Sequence, residues 1–202
     1  MLFVGFSMLF IVCLIAANLF ETKQFSFFGH SQTAGVIIFP ISYIINDVVC
    51  EVWGVRRMRQ LIWMGFVLSA FFVGMGVLCD QLPPAPYWDN QEGFHAIFGL
   101  APRIVGASFV AFLVGSLLNA EVMHRMKGIH HDKHFSLRAI VSSIAGECAD
   151  SIVFFPLAFG GIIPWDEMLW LMGYQVVLKT AYEIVVLPIT IKVVGFVKNT
   201  IY

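Results

Sequence analysis

Long apolar runs, broken by short polar stretches, dominate this chain. Six runs approach or exceed the roughly 20 apolar residues that a membrane crossing needs. They cover about Leu2 to Phe20, Ala34 to Val55, Leu61 to Cys79, Arg103 to Met123, Arg138 to Ile162 and Met168 to Val197. The apolar positions run on without a break and do not alternate with period two, which disfavours a β-barrel. The sixth run exceeds one crossing and predicts a tilted or protruding helix. Met1 to Phe20 lacks a basic n-region and an A-x-A-like cleavage site, so it reads as a first spanning helix and not as a signal peptide. The pattern predicts an all-α membrane protein of six transmembrane helices, a single domain over residues 1–202.

Composition agrees. Hydrophobic residues make up 59% and charged residues 12% of the 202, and mean hydropathy is +0.83. A soluble domain carries about twice that charge. A soluble enzyme, a disordered chain and a collagen-like repeat are excluded. The net charge of −1 offers no field for nucleic acid. Orientation follows from the basic residues. With the N-terminus cytoplasmic, Arg56, Arg57, Arg59, Arg125, Lys127, Lys133, Arg138, Lys192 and Lys198 all fall inside. Only Lys23 and Arg103 fall outside, among Asp80, Asp89, Glu92, Asp166 and Glu167. The positive-inside bias therefore puts both termini in the cytoplasm. Pro83, Pro84, Pro86, Tyr87 and Trp88 suggest a structured, interface-seated outer loop over 80–102. Three spans plus three would make two inverted halves, although the halves share no convincing sequence identity.

The chemistry must lie where charge enters the spans. The second run holds Asn46, Asp47 and Glu51; the fifth holds Ser142, Ser143, Glu147 and Asp150; the sixth holds Gln175, Lys179, Tyr182 and Glu183. Asn119 and Glu121 sit toward the inner end of the fourth. Six ionisable groups facing lipid alone would cost roughly 15–20 kcal/mol at about 3 kcal/mol each. No small fold carries that, so they must face each other, water or a polar ligand. Asp47/Glu51, Ser143/Glu147 and Lys179/Glu183 are spaced i,i+4, and Glu147/Asp150 i,i+3, so each helix presents one polar stripe. Five carboxylates against one ammonium leave an acidic interior that wants protons, cations or a ligand rich in N–H donors.

Plainer roles compete at some positions. Lys179 with a carboxylate could be an interhelical tie, and Glu51 could salt-bridge Arg56 or Arg57. Glu121 reads as interfacial. All six histidines fall in loops or at helix ends, against a dihaem cytochrome. His130 and His134 are spaced i,i+4, yet the 130–134 stretch reads better as a solvated cytoplasmic loop than as a metal site. Cys13, Cys50, Cys79 and Cys148 form no CxxC pair, so no zinc site or disulfide framework is expected. Trp53 reads as an interfacial anchor, though it or Tyr43 could stack on a flat ligand. There is no Walker motif, nucleophile elbow or HExxH, so neither enzyme activity nor a cofactor is expected.

The segment Phe39-Pro40-Ile41-Ser42-Tyr43-Ile44-Ile45-Asn46-Asp47-Val48-Val49-Cys50-Glu51-Val52-Trp53-Gly54 resembles the signature of the YhhQ-type queuosine precursor transporters, also called the vitamin uptake transporter family. Ala107 to Phe112 resembles that family's fourth helix, with Asn119 where it usually has Asp. Arg138, Ser142, Ser143, Asp150, Phe154, Ala158 and Phe159 match the fifth helix, and Gln175, Lys179 and Pro188 the sixth. The resemblance covers about residues 35–195. It implies a multi-pass bacterial inner-membrane importer of 7-deazaguanines (preQ0 or preQ1) or of queuine, which feed tRNA modification without the transporter touching RNA. One carboxylate can accept the adjacent N1–H and 2-amino donors of such a base. Asp47 or Asp150 is the expected acid, with Lys179 and Gln175 in support. The full expected binding set is Asn46, Asp47, Glu51, Asn119, Ser143, Glu147, Asp150, Gln175, Lys179 and Glu183.

Two other readings use the same residues. One is the substrate-binding subunit of an energy-coupling-factor importer, which needs an ATPase partner. The other is an intramembrane transferase whose paired acids hold Mg²⁺, although the dense Asp/Gly/Arg cluster of such enzymes is missing. Expected partners are a small nucleobase and the lipid bilayer, with a homodimer plausible for so small a chain. In whole cells, a cytoplasm-active reporter fused at Tyr202 should be active, and a cysteine placed at Asp89 should react with an impermeant thiol reagent. The opposite labelling would reverse the orientation.

Overall fold

The computed structural model describes residues 1–27, 29–130 and 135–201. In chain order it has α1 (Leu2–Phe20), strands β1 (Gln24–Phe27) and β2 (His30–Thr33), a 3-10 turn (Ala34–Ile37), α2 (Phe39–Trp53) and α3 (Val55–Asp80). Then come α4 (Gln91–Phe98), α5 (Ala101–His130), α6 (Phe135–Phe159) and α7 (Trp165–Ile201). Four helical stretches among the described residues are long and apolar enough to cross a membrane: Leu2–Phe20, Val55–Asp80, Gln91–Asn119 and Val141–Phe159. α7 makes a fifth if its limbs Trp165–Val186 and Pro188–Thr200, which meet at a 48° bend, are taken as one crossing. Pro188 supplies the cause, because its ring displaces one turn of the hydrogen-bond ladder.

The second expected span departs from the sequence reading. Residues 34–55 form a 3-10 turn, a 15-residue helix and a corner. Fifteen residues rise about 22 Å, short of the roughly 30 Å hydrocarbon core. Pro40 near the first turn starts α2. Gly54 ends it at φ 89°, where a side chain would be strained, and α3 begins at the next residue. Arg56, Arg57 and Arg59 therefore belong to the first turns of α3, and Arg57 lies over the Phe3 ring at 5.2 Å.

A β-hairpin also interrupts the helical pattern. β1 and β2 pair antiparallel, from Gln24 opposite Thr33 to Phe27 opposite His30. A two-stranded hairpin this short is not stable alone. It is docked: β2 packs on α7, and the Thr33 hydroxyl accepts a 3.0 Å bond from the Gln175 amide. Gln175 lies about 15 Å along α7 from its first residue, so the hairpin reaches into the span. Irregular backbone survives at that depth only when covered by protein or lining a polar cavity.

Two apolar clusters flank this region. Phe10, Cys13, Ile45, Val49, Met58 and Leu61 join α1, α2 and α3. Ile104, Ala107, Ala111, Phe154, Phe155, Phe159, Met168 and Leu171 join α5, α6 and α7. Inside the second, α5 and α6 approach very closely. Ala107, Ala111, Gly115 and Asn119 repeat every four residues along one face of α5. A Cβ on Gly115 would stand 2.8 Å from the Gly146 carbonyl, and one on Gly146 would stand 2.9 Å from the Gly115 carbonyl. Small residues at such a seam let the backbones touch and replace the hydrophobic drive that lipid cannot supply. Arg103 closes one end of the seam, donating 2.6 Å bonds to the carbonyls of Leu157 and Gly160 at the end of α6. The 80–102 loop is structured: α4 is tied to α3 by Gln91 and His95, both on Asp80.

Gly115→Leu should overpack this seam by about 1–3 kcal/mol and lower the melting temperature in detergent by roughly 3–10 °C. Gly74→Leu, on an open face of α3, should leave it unchanged. Equal shifts for the two would show that the seam is not under steric constraint.

Candidate functional site

The polar stripes of α2, α6 and α7 meet because α7 packs against both other helices. Lys179 on α7 is 5% exposed, and its Nζ donates a 2.9 Å bond to Asp150 Oδ2 on α6. One turn along, the Thr180 hydroxyl donates to Glu147 Oε2 at 3.2 Å. A further turn along, the Ser143 hydroxyl donates to Glu183 Oε1 at 3.2 Å. From α2, Asp47 stands within electrostatic range of Glu183 and accepts a 3.4 Å bond from the Asn46 amide. Glu147 feels Lys179, Glu183 and Asp150 together. The result is a column of carboxylates running along α7 around the Lys179 ammonium.

Two expected members stand apart from this column. Glu51 pairs with Lys198 at 2.5 Å, at the far ends of α2 and α7, and this corrects the expected bridge to Arg56 or Arg57. The partner differs because the corner at Gly54 carries those arginines onto α3. Asn119 sits in the α5–α6 seam with its Cβ beside Gly146. Glu121 pairs with Arg125 at 2.5 Å on the helix surface, as an interfacial residue should. Trp53 packs on Phe3 and Phe6, at 5.3 and 5.9 Å between ring centroids. The Tyr43 side chain and residues 131–134 of the histidine stretch lie outside the described residues. Among the described residues, no three His, Cys, Asp or Glu side chains are grouped as a metal would require.

The structure adds a polar cluster that sequence reasoning missed. Glu21 directly follows α1 and reads as an outer-loop residue, yet it is 1% exposed. It lies beside the Thr33 hydroxyl and within electrostatic range of Lys179 and Asp150. Gln32 on β2 is also 1% exposed, and Gln175 is 2% exposed. The available signal was the pair of short runs, Gln24–Phe27 and His30–Thr33, separated by a Gly-containing pair of residues, which is a hairpin pattern. Nothing local says that such a hairpin folds inward. With Glu21 the column has five carboxylates, Glu21, Asp150, Glu147, Glu183 and Asp47, and one ammonium. Chemically it can bind a cation, shuttle protons or hold a ligand that presents several N–H donors.

The family profile described as "Putative vitamin uptake transporter" matches residues 33–193. The chain is 30% identical over 177 residues to a protein of Bacillus subtilis (strain 168) named "Probable queuosine precursor transporter", covering 86% of this chain and 76% of the relative. It is 24% identical over 164 residues to the "Queuosine precursor transporter" of Escherichia coli (strain K12), covering 76% and 66%. It is 29% identical over 137 residues to a "Probable queuosine precursor transporter" of Haemophilus influenzae, covering 65% and 54%. No solved structure matches.

Removing a buried ammonium from among carboxylates leaves their charge uncompensated. Lys179→Met should therefore destabilise the protein by about 3–5 kcal/mol. Adding Asp150→Asn should restore part of that loss. Thermal unfolding in detergent checks both, and a Lys179→Met protein as stable as wild type would mean the pair is solvated.

Proposed function

The chain belongs to the vitamin uptake transporter family and is a multi-pass transport protein of the bacterial inner membrane, and on that premise we propose that its cargo is a queuosine precursor, a 7-deazaguanine (preQ0 or preQ1) or queuine. The observation that carries this reading is the acid column around a single lysine at the junction of α2, α6 and α7. A deazaguanine matches it in kind. Its N1–H and 2-amino group are adjacent donors for a carboxylate, and its O6 suits a lysine or amide donor. The cationic aminomethyl group of preQ1 would find a second carboxylate. Asn46, Asp47, Ser143, Glu147, Asp150, Gln175, Lys179 and Glu183 line the path, with Glu51 and Asn119 at its margins.

In this reading α2 completes a sixth crossing with help from the hairpin and the 3-10 turn. Both termini are cytoplasmic, and the two helix groups rock about the midplane site as inverted halves. The separate apolar clusters of α1–α3 and α5–α7 support rigid units of that size. The protein works on a small molecule in the bilayer, as a secondary transporter or facilitator. It uses no cofactor, catalyses no reaction, contacts no nucleic acid and is compatible with a homodimer.

Proteoliposomes holding only this chain should take up labelled queuine or preQ1 saturably, and Asp150→Asn should abolish uptake. Binding without transport would make the chain a partner-dependent subunit of a larger importer. Neither binding nor transport would remove queuosine precursors as cargo.

A further inference from the structure

Five carboxylates face the column, and four of them already have partners. Asp150 is bonded to Lys179, Glu147 to Thr180, Glu183 to Ser143 and Asp47 to Asn46. Glu21 differs. It is fully buried beside the Thr33 hydroxyl, yet neither carboxylate oxygen meets a donor in full hydrogen-bonding geometry among the described residues. Gln32, on the opposite face of β2 from Thr33, is equally buried, and among the described residues neither its amide nitrogen nor its amide oxygen has a partner. Burying a polar group without a partner costs about 1–3 kcal/mol, and more when it is charged. Glu21, on the Thr33 side of the hairpin, is therefore a buried acid that the fold keeps at that cost.

The surroundings of Glu21 are packed. The 3-10 turn lies directly on it, so that a Cβ added at Gly35 would run into the carboxylate and, less closely, the Ala17 carbonyl. Thr33, beside Glu21, is latched to α7 by Gln175. Lys179 lies within electrostatic range and connects Glu21 to the rest of the column.

We propose that Glu21 is the acid that reads the N1–H and 2-amino edge of the cargo. This rests on the nucleobase reading above and changes its chemistry, since the expected readers were Asp47 or Asp150. A planar base with two parallel N–H donors satisfies both Glu21 oxygens at once, as a guanidinium satisfies a carboxylate. Entry requires the hairpin to lift from α7.

The test is competition against labelled queuine on the purified full chain, using queuine and its analogue without the 2-amino group. Wild type should prefer the amino compound by roughly 10- to 100-fold, the value of a charge-assisted hydrogen bond. In Glu21→Gln and in Gly35→Ala the preference should collapse to about threefold or less, because one loses the charge and the other displaces the carboxylate. Glu121→Gln, on the helix surface away from the column, should keep the wild-type preference. A structural role for Glu21 would lower yield without moving this ratio, so an unchanged ratio in either variant overturns the proposal and leaves queuine as cargo. Absence of any queuine binding by wild type is a different failure, which removes the cargo reading itself. If Glu21→Gln does not fold, Gly35→Ala decides the question with the charge in place.

Discussion

An ammonium among carboxylates inside a bilayer is the constraint on which this fold turns. Each of those groups is expensive in hydrocarbon, and none can be left facing lipid. Lys179 makes the arrangement tolerable by standing between Asp150, Glu147 and Glu21. For that, α6 and α7 must lie side by side at one height. The α5–α6 seam helps to set α6, where Gly115 and Gly146 let two backbones touch. Arg103 holds one end of the seam through the carbonyls of Leu157 and Gly160. Packing that looks remote from the column therefore decides whether Asp150 can reach Lys179.

The same constraint explains why irregular backbone is tolerated within the span. The hairpin and the 3-10 turn bring peptide groups to a depth where lipid offers no hydrogen bonds. They persist because β2 packs on α7, and because Thr33 and Gln175 satisfy one another. In exchange, the break between α1 and α2 delivers Glu21 to the column, which no continuous helix through residues 21–38 would do. Membrane transporters commonly place their sites at such interruptions, where polar backbone and side chains can meet cargo away from lipid.

Much of the architecture was legible along the chain. The apolar runs located four membrane helices, and a fifth where the bent α7 counts as one crossing, because hydrocarbon imposes a length and a composition that few other environments demand; the stretch met by the fourth run begins earlier, at Gln91. Spacing of i,i+3 and i,i+4 placed Glu147 with Asp150 and Lys179 with Glu183 on shared faces, and the tertiary contacts keep those faces in one column. Glu51 was harder to read. Its neighbours in sequence are arginines, but the corner at Gly54 turns them away and Lys198 arrives from α7. Glu21 was harder still, since a carboxylate just past a spanning helix reads as solvated.

What the sequence determined by itself is the environment. Hydropathy and the distribution of charge require a helical membrane protein with an acidic interior and one intramembrane lysine, whatever the packing. What only the tertiary structure decided is which acids are satisfied and which are not. Hydrogen-bond partners such as Thr33 and Gln175 lie more than a hundred residues apart, and no local pattern records that proximity. A helix's periodicity tells which residues share a face. The choice of the facing partner, and so of the carboxylate left with both oxygens unpaired, belongs to the packing of α1, the hairpin and α7.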